Sequence, residues 1–130
     1  MSKRSFLVFG MLAAGLIACG PAAAQGFSAE DLEGRWRSSW SNDLGVTIEI
    51  SGDRLTMAQR FRSEGRICLE HLHGRLRGQG AEVRSTGIGC DGKPPTGPHI
   101  ACTVRLETRD LYSIRCGETG HWNAFRRIGG

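Results

Sequence analysis

Helical periodicity is nearly absent from this chain, which excludes helix bundles and any fold that covers a sheet with helices. Only Ser28 to Glu33 reads as a short turn of helix, with Ser28 as its cap. Long apolar runs are scarce as well. Phe6 to Ala18 is the one such stretch, too short to cross a bilayer comfortably, and no second one follows. A nucleophile elbow, a phosphate-cradling glycine loop and a mechanistic histidine–carboxylate spacing are all missing, so no residue pattern calls for catalysis or for a cofactor. No linker or internal repeat divides the chain, so one domain is expected.

What is present begins with an address. Lys3 and Arg4 precede the apolar run, Gly20-Pro21 breaks it, and Ala22-Ala23-Ala24 offers a small-residue cleavage site. Residues 1–24 read as a secretory signal, which implies a periplasmic or secreted protein of a Gram-negative bacterium. Leu16-Ile17-Ala18-Cys19 also resembles the lipobox of bacterial lipoproteins, so Cys19 is a candidate lipidation site and a membrane association would follow only from that. Either cut turns five cysteines into four to be paired. Removing Lys3 and Arg4 lowers seventeen basic residues to fifteen against thirteen acidic ones, a net charge of +2 instead of +4. Of the fifteen only Lys93 is a lysine, and both signs are interleaved along the chain. No polyanion-binding block stands out, and nucleic acid is not an expected partner.

The four remaining cysteines form mirror-image pairs around turn signals. Cys68 and Cys90 are equidistant from Gln79, in Gly78-Gln79-Gly80; Cys102 and Cys116 are equidistant from Arg109, in Thr108-Arg109-Asp110. Residues facing each other across an antiparallel hairpin have Cα atoms roughly 4.5–5.5 Å apart, about what a disulfide needs. Two cross-hairpin disulfides are therefore predicted, in an oxidising compartment.

The rest reads as short strands between turn residues. Gly34–Trp40 comes first, with Trp36, Ser38 and Trp40 on one face, followed by a strand in which Val46, Ile48 and Ile50 alternate with polar residues. Leu55, Met57 and Phe61 share a parity in the third. The remaining strands are Arg66 to about Arg77, Ala81–Cys90, Ile100–Glu107, Leu111–Cys116 and His121–Ile128. Cys102, Val104 and Leu106 oppose Cys116, Ile114 and Tyr112, an apolar face backed by a polar one, as an antiparallel sheet requires. The Cys68/Cys90 hairpin is less regular, its cysteine face also carrying Glu70, Glu82, Arg84 and Ile88. Eight short strands with tight turns predict an all-β, eight-stranded antiparallel up-and-down barrel over residues 34–130, since closure removes exposed edges. Residues 25–33 form an N-terminal segment before it.

Leu32-Glu33-Gly34-Arg35-Trp36 at the first strand and Trp122 to Arg127 at the last resemble the calycin group: lipocalins, fatty-acid-binding proteins, avidins and bacterial metalloprotease inhibitors. The resemblance implies a Gly-x-Trp, here Gly34 and Trp36, covered by an arginine of the final strand. Arg126, sharing parity with Trp122 and Ala124, is the residue expected to stack on Trp36 and close the barrel. It further implies that Gln25 to Ala29 corresponds to a segment that such inhibitors insert into a protease. Trp40 to Gly45 echoes the first avidin hairpin, but the later avidin tryptophan motifs are missing.

Among chemistry-bearing residues, His71 and His73 share a strand face about 6–7 Å apart. A metal would need His99 or His121 as a third ligand, and a solvated outer face explains the pair without any metal. Glu70 is the odd residue on an inward face and needs a partner, with Arg126 or Arg84 as candidates. Trp40, Glu70 and Trp122 are the candidate contacts to a ligand or partner; Trp36, Trp40 and Trp122 could line an aromatic pocket but read more simply as core, as do Tyr112 and Phe61. The expectation is a non-enzymatic exported barrel that binds another protein, a hydrolase such as a protease or lysozyme, or an envelope protein. The alternatives are a carrier of a small apolar ligand and an envelope lipoprotein anchored at Cys19.

Overall fold

In the structure, a computed structural model that describes residues 26–129, one closed sheet accounts for most of the described chain. The leader, Cys19 and Gln25 lie outside the described residues. The strands are β1 (Gly34–Arg37), β2 (Asp43–Ser51), β3 (Arg54–Ser63), β4 (Arg66–Arg77), β5 (Gly80–Cys90), β6 (Ala101–Thr108), β7 (Leu111–Cys116) and β8 (Asn123–Gly129). Each pairs antiparallel with the next, and β8 returns to β1. This is the expected eight-stranded barrel. The first strand is shorter than expected, because the chain leaves the sheet after Arg37 instead of at Trp40.

Period-two alternation places Val46, Ile48, Leu55, Met57, Val104 and Leu106 in one core, where they meet Trp36, Tyr112 and Phe125. Burying each such side chain contributes about 1.5–3 kcal/mol. The outer parity of the same strands carries Arg35, Arg37, Glu49, Arg54, Glu82 and Arg84, all exposed. An apolar inside and a charged outside are the reverse of a lipid-facing barrel. No helix among the described residues is long and apolar enough to cross a membrane.

Both disulfides form as expected, with Cα–Cα distances of 3.9 Å for Cys68–Cys90 and 4.1 Å for Cys102–Cys116. They place the protein in an oxidising compartment outside the cytoplasm. The pairing is reached by a route the spacing conceals. The β4–β5 turn is the two residues Gly78-Gln79, with Arg77 facing Gly80, so its centre falls between residues. Cys68 would then miss Cys90 by one position. A bulge corrects this: Leu72 faces Ser85, Glu70 faces Ile88, and β5 holds one residue more than β4 between those pairs. The β6–β7 hairpin does the same near its turn, where Thr108 faces Leu111 but Leu106 faces Tyr112.

The first bulge reverses part of the expected facing. Turnward of it, Ala81, Val83 and Ser85 point inward, while Glu82 and Arg84 are exposed instead of sharing the cysteine face; Ile88, on the mouth side, keeps the register of Cys90. Gly87 makes the bulge possible. Its φ is +103°, and a Cβ there would lie 2.6–2.7 Å from the Thr96 backbone, which bridges to Ile88.

One barrel end is filled by the N-terminal segment. Ser28 N–H donates to Asp31 Oδ2 at 3.0 Å and starts a single 3₁₀ turn, Ala29–Leu32, whose Ala29 and Leu32 are buried. Trp36 Nε1–H donates to the Leu32 carbonyl at 2.9 Å. The residue over Trp36 is Arg127, not Arg126: its guanidinium lies 4.3 Å from the ring centre. Arg126 is exposed, because the inward parity of β8 runs through Phe125 and Arg127. Arg127 also donates to the carbonyls of Glu33 at 2.9 Å, Arg109 at 2.7 Å and Asp31, tying the N-terminal segment to the β6–β7 turn and β8. Of the segment likened to a protease-inserting one, Ala29 is buried and the Gly26 carbonyl accepts from Arg109, while Gly26 and Ser28 are exposed.

Two outcomes follow. Replacing both Cys68 and Cys90 by serine opens a link of sequence separation 22; it is expected to cost about 3 kcal/mol in urea unfolding and on the order of 10–20 °C in Tm. An unchanged unfolding midpoint would contradict the staple. Arg127→Ala strips donors from three carbonyls and is expected to cost about 2–4 kcal/mol, whereas Arg126→Ala stays within about 0.5 kcal/mol. Equal effects of the two variants would contradict the assignment.

Candidate functional site

The two barrel ends differ because, among the described residues, the segment before β1 plugs only one of them. The other is ringed by the connections β1–β2, β3–β4, β5–β6 and β7–β8, and it stays open. Beneath it lies a cavity of about 190 Å³. A larger recess of about 700 Å³ lies beside the plugged end, but it is a more open surface groove whose Arg127 is already engaged. The mouth cavity is the better enclosed of the two and holds polar groups with unmet capacity.

Its wall begins at the β1–β2 connection, which folds around Asp43. That side chain is 1% exposed, accepting Ser38 N–H at Oδ2 (2.6 Å) and Gly45 N–H at Oδ1 (2.8 Å). The arrangement holds Ser38, Ser39 and Trp40 over the mouth. Trp40 is 59% exposed and lines the cavity edge instead of joining the core.

Glu70 and Gln59 face each other across β3 and β4, and both line the cavity. Neither Arg126 nor Arg84 pairs with Glu70; Arg84 donates outward to the His99 carbonyl at 3.1 Å. The partner is Ser85, whose hydroxyl donates to Glu70 Oε2 at 2.7 Å while accepting Gly87 N–H at 3.1 Å. The bulge residue thus orients a serine, and the serine orients the carboxylate. None of the ion pairs among the described residues includes Glu70, and no lysine, arginine or histidine lines the cavity.

Tyr112 supplies the third polar group. Its ring is stacked 5.0 Å from Phe125 and edge-on to Trp36 at 4.9 Å, and it is wholly buried. Its Oη has no hydrogen-bond partner, although a buried hydroxyl normally finds one. Burial first, and the negative charge of Asp43 second, hold its pKa well above the usual phenol value.

The candidate residues therefore divide. Trp40 and Glu70 meet at the mouth. Trp122 turns outward, where Arg105 and Arg115 lie 4.2 and 5.1 Å from its ring centre. Gly34 and Trp36 belong to the plugged end. His71 and His73 lie parallel on the outer face, ring centres 6.4 Å apart. Among the described residues no group of three His, Cys, Asp or Glu side chains gathers around a possible metal position. Asp43 and the Tyr112 hydroxyl escaped the sequence reading; an Asn-Asp-x-Gly turn was the one local signal for Asp43. No family model, curated protein or solved structure matches the chain.

Tyr112 is the only tyrosine, so phenolate absorbance near 295 nm reports this one group. Because its pKa is raised by folding, its contribution to stability is complete below about pH 10 and is lost as pH rises through the folded value. The phenolate signal is expected to appear above pH 10, together with unfolding. A reversible midpoint at the ordinary value in folded protein would contradict the burial.

Proposed function

We propose that this is a non-enzymatic binding barrel, periplasmic or secreted, that docks on another protein through the rim of its open end. The carrying observation is the placement of exposed apolar area. Of the five large hydrophobic side chains exposed among the described residues, Trp40, Ile88, Ile100 and Trp122 lie in or beside the connections at the open end, and Ile128 does not. Exposed apolar residues gathered on one surface mark interaction sites, and tryptophan and arginine are favoured in them. Arg105 and Arg115, flanking Trp122, supply the polar border.

A hydrolase is the partner class this reading favours, by analogy with the protease inhibitors that the Gly34-x-Trp36 barrel resembles. The inhibitory surface would be the rim, since the N-terminal segment is committed to the plugged end. Carriage of a small ligand is the second reading, and the mouth cavity favours it. Lipid anchoring at Cys19 is a separate matter, decided by fatty-acid labelling of the exported protein.

Titration against purified secreted metalloproteases and lysozymes tests the docking reading. Stoichiometric inhibition is expected for at least one, with a loss of tenfold or more for Trp40→Ser/Ile100→Ser. Inhibition of none, or equal potency of the rim variant, would overturn it.

A further inference from the structure

The mouth cavity contains charge of one sign only. Glu70 borders it without a cationic partner, and its lining includes no basic side chain. Asp43 adds a second carboxylate behind the wall, satisfied by two backbone N–H groups rather than by a cation. A carboxylate in a partly desolvated site raises the local affinity for positive charge, and the low-dielectric walls strengthen that effect. Tyr112, whose buried hydroxyl has no partner, belongs to the same lining.

We infer that this cavity is a binding site for a small primary amine, with its ammonium held by Glu70, Gln59 and the Tyr112 hydroxyl. An ammonium carries three donors and no acceptor, and these side chains supply three acceptors to match. Apart from Ser38, Ser39 and Asn123, the remaining lining is apolar or aromatic, including Val46, Met57, Leu72 and Phe125, and suits a short hydrocarbon stem. Trp40 at the edge adds an aromatic face for the cation. The volume, about 190 Å³, lies below the roughly 300–1,000 Å³ of sites for drug-sized ligands, so the occupant is a single short chain or ring. Ser85 and Gly87 keep the Glu70 carboxylate oriented before the ligand arrives. This site stands on the cavity and not on the apolar rim, so it survives or fails independently of protein docking.

The test uses the full exported protein with n-butylammonium chloride, and n-butanol as the neutral counterpart of the same shape, followed by amide chemical shifts. On the unaltered protein the ammonium is expected to bind at least tenfold more tightly than the alcohol, with shifts concentrated at Ser38, Ser39, Gln59 and Asn123. Glu70→Gln keeps an acceptor for Ser85. It is expected to weaken the amine tenfold or more while changing the alcohol less than twofold. Tyr112→Phe is expected to weaken the amine about threefold or more. Equal affinity for amine and alcohol on the unaltered protein, or shifts away from the mouth, would overturn the assignment without recourse to any variant. Unchanged amine binding by folded Glu70→Gln would do so as well.

Discussion

One extra residue in β5 is the constraint on which much of this barrel depends. Without the bulge at Thr86-Gly87, the two-residue turn at Gly78-Gln79 would set Cys68 one position out of register with Cys90. A slip of that size exchanges the two faces of a strand. The bulge allows Ala81, Val83 and Ser85 to face the core near the turn and the cysteines to face each other near the mouth. Its irregular backbone is not left unpaired: Thr86 Oγ1 donates to the His71 carbonyl at 3.2 Å, and Gly87 N–H donates to Ser85 Oγ. The same hydrogen-bond chain ends on Glu70. Covalent closure of the hairpin and orientation of the mouth carboxylate are two consequences of a single local distortion.

The two ends of the barrel express opposite solutions to the same problem. At one, the chain supplies its own occupant: Leu32 fills the interior, Trp36 bonds to its carbonyl, and Arg127 covers the indole while gathering backbone carbonyls from two other segments. At the other, no segment among the described residues enters. There Asp43 spends its hydrogen-bonding capacity on the loop that carries Trp40, and Glu70, Gln59 and Tyr112 are left around a space. The plugged end is therefore held by packing and carbonyl contacts, and the open end by the two disulfides around a space.

How much of this was readable from the residues alone follows from how local each feature is. Period-two alternation and turn chemistry are local, so eight strands, the inward face of Val104, Leu106, Tyr112 and Ile114, and both cysteine pairs could be read. The bulge could not, because an even spacing between cysteines fits an odd-length turn as well as a two-residue turn plus one extra residue. That ambiguity turned Glu82 and Arg84 to the wrong side. Arg126 was preferred to Arg127 for a related reason: Trp122, the largest apolar residue nearby, was taken to mark the inner face. Trp122 instead faces outward, flanked by Arg105 and Arg115, and the smaller Phe125 marks the true parity. The mouth cavity is less local still. Glu70, Gln59 and Tyr112 come together only after closure of the sheet, and nothing in their spacing announces it. The partnerless state of Tyr112 is a property of the packed barrel, not of its neighbours in sequence.

The register of the two stapled hairpins is the central claim, and a disulfide map of the oxidised protein tests it most directly. Trypsin alone leaves Cys90 and Cys102 on one fragment, because Lys93 precedes Pro94 and the next arginine is Arg105. Cleavage before Asp91 is needed to separate them. The barrel predicts peptides joined only as Cys68–Cys90 and Cys102–Cys116. Recovery of Cys68 linked to Cys102 or Cys116, or of four free thiols, would contradict it.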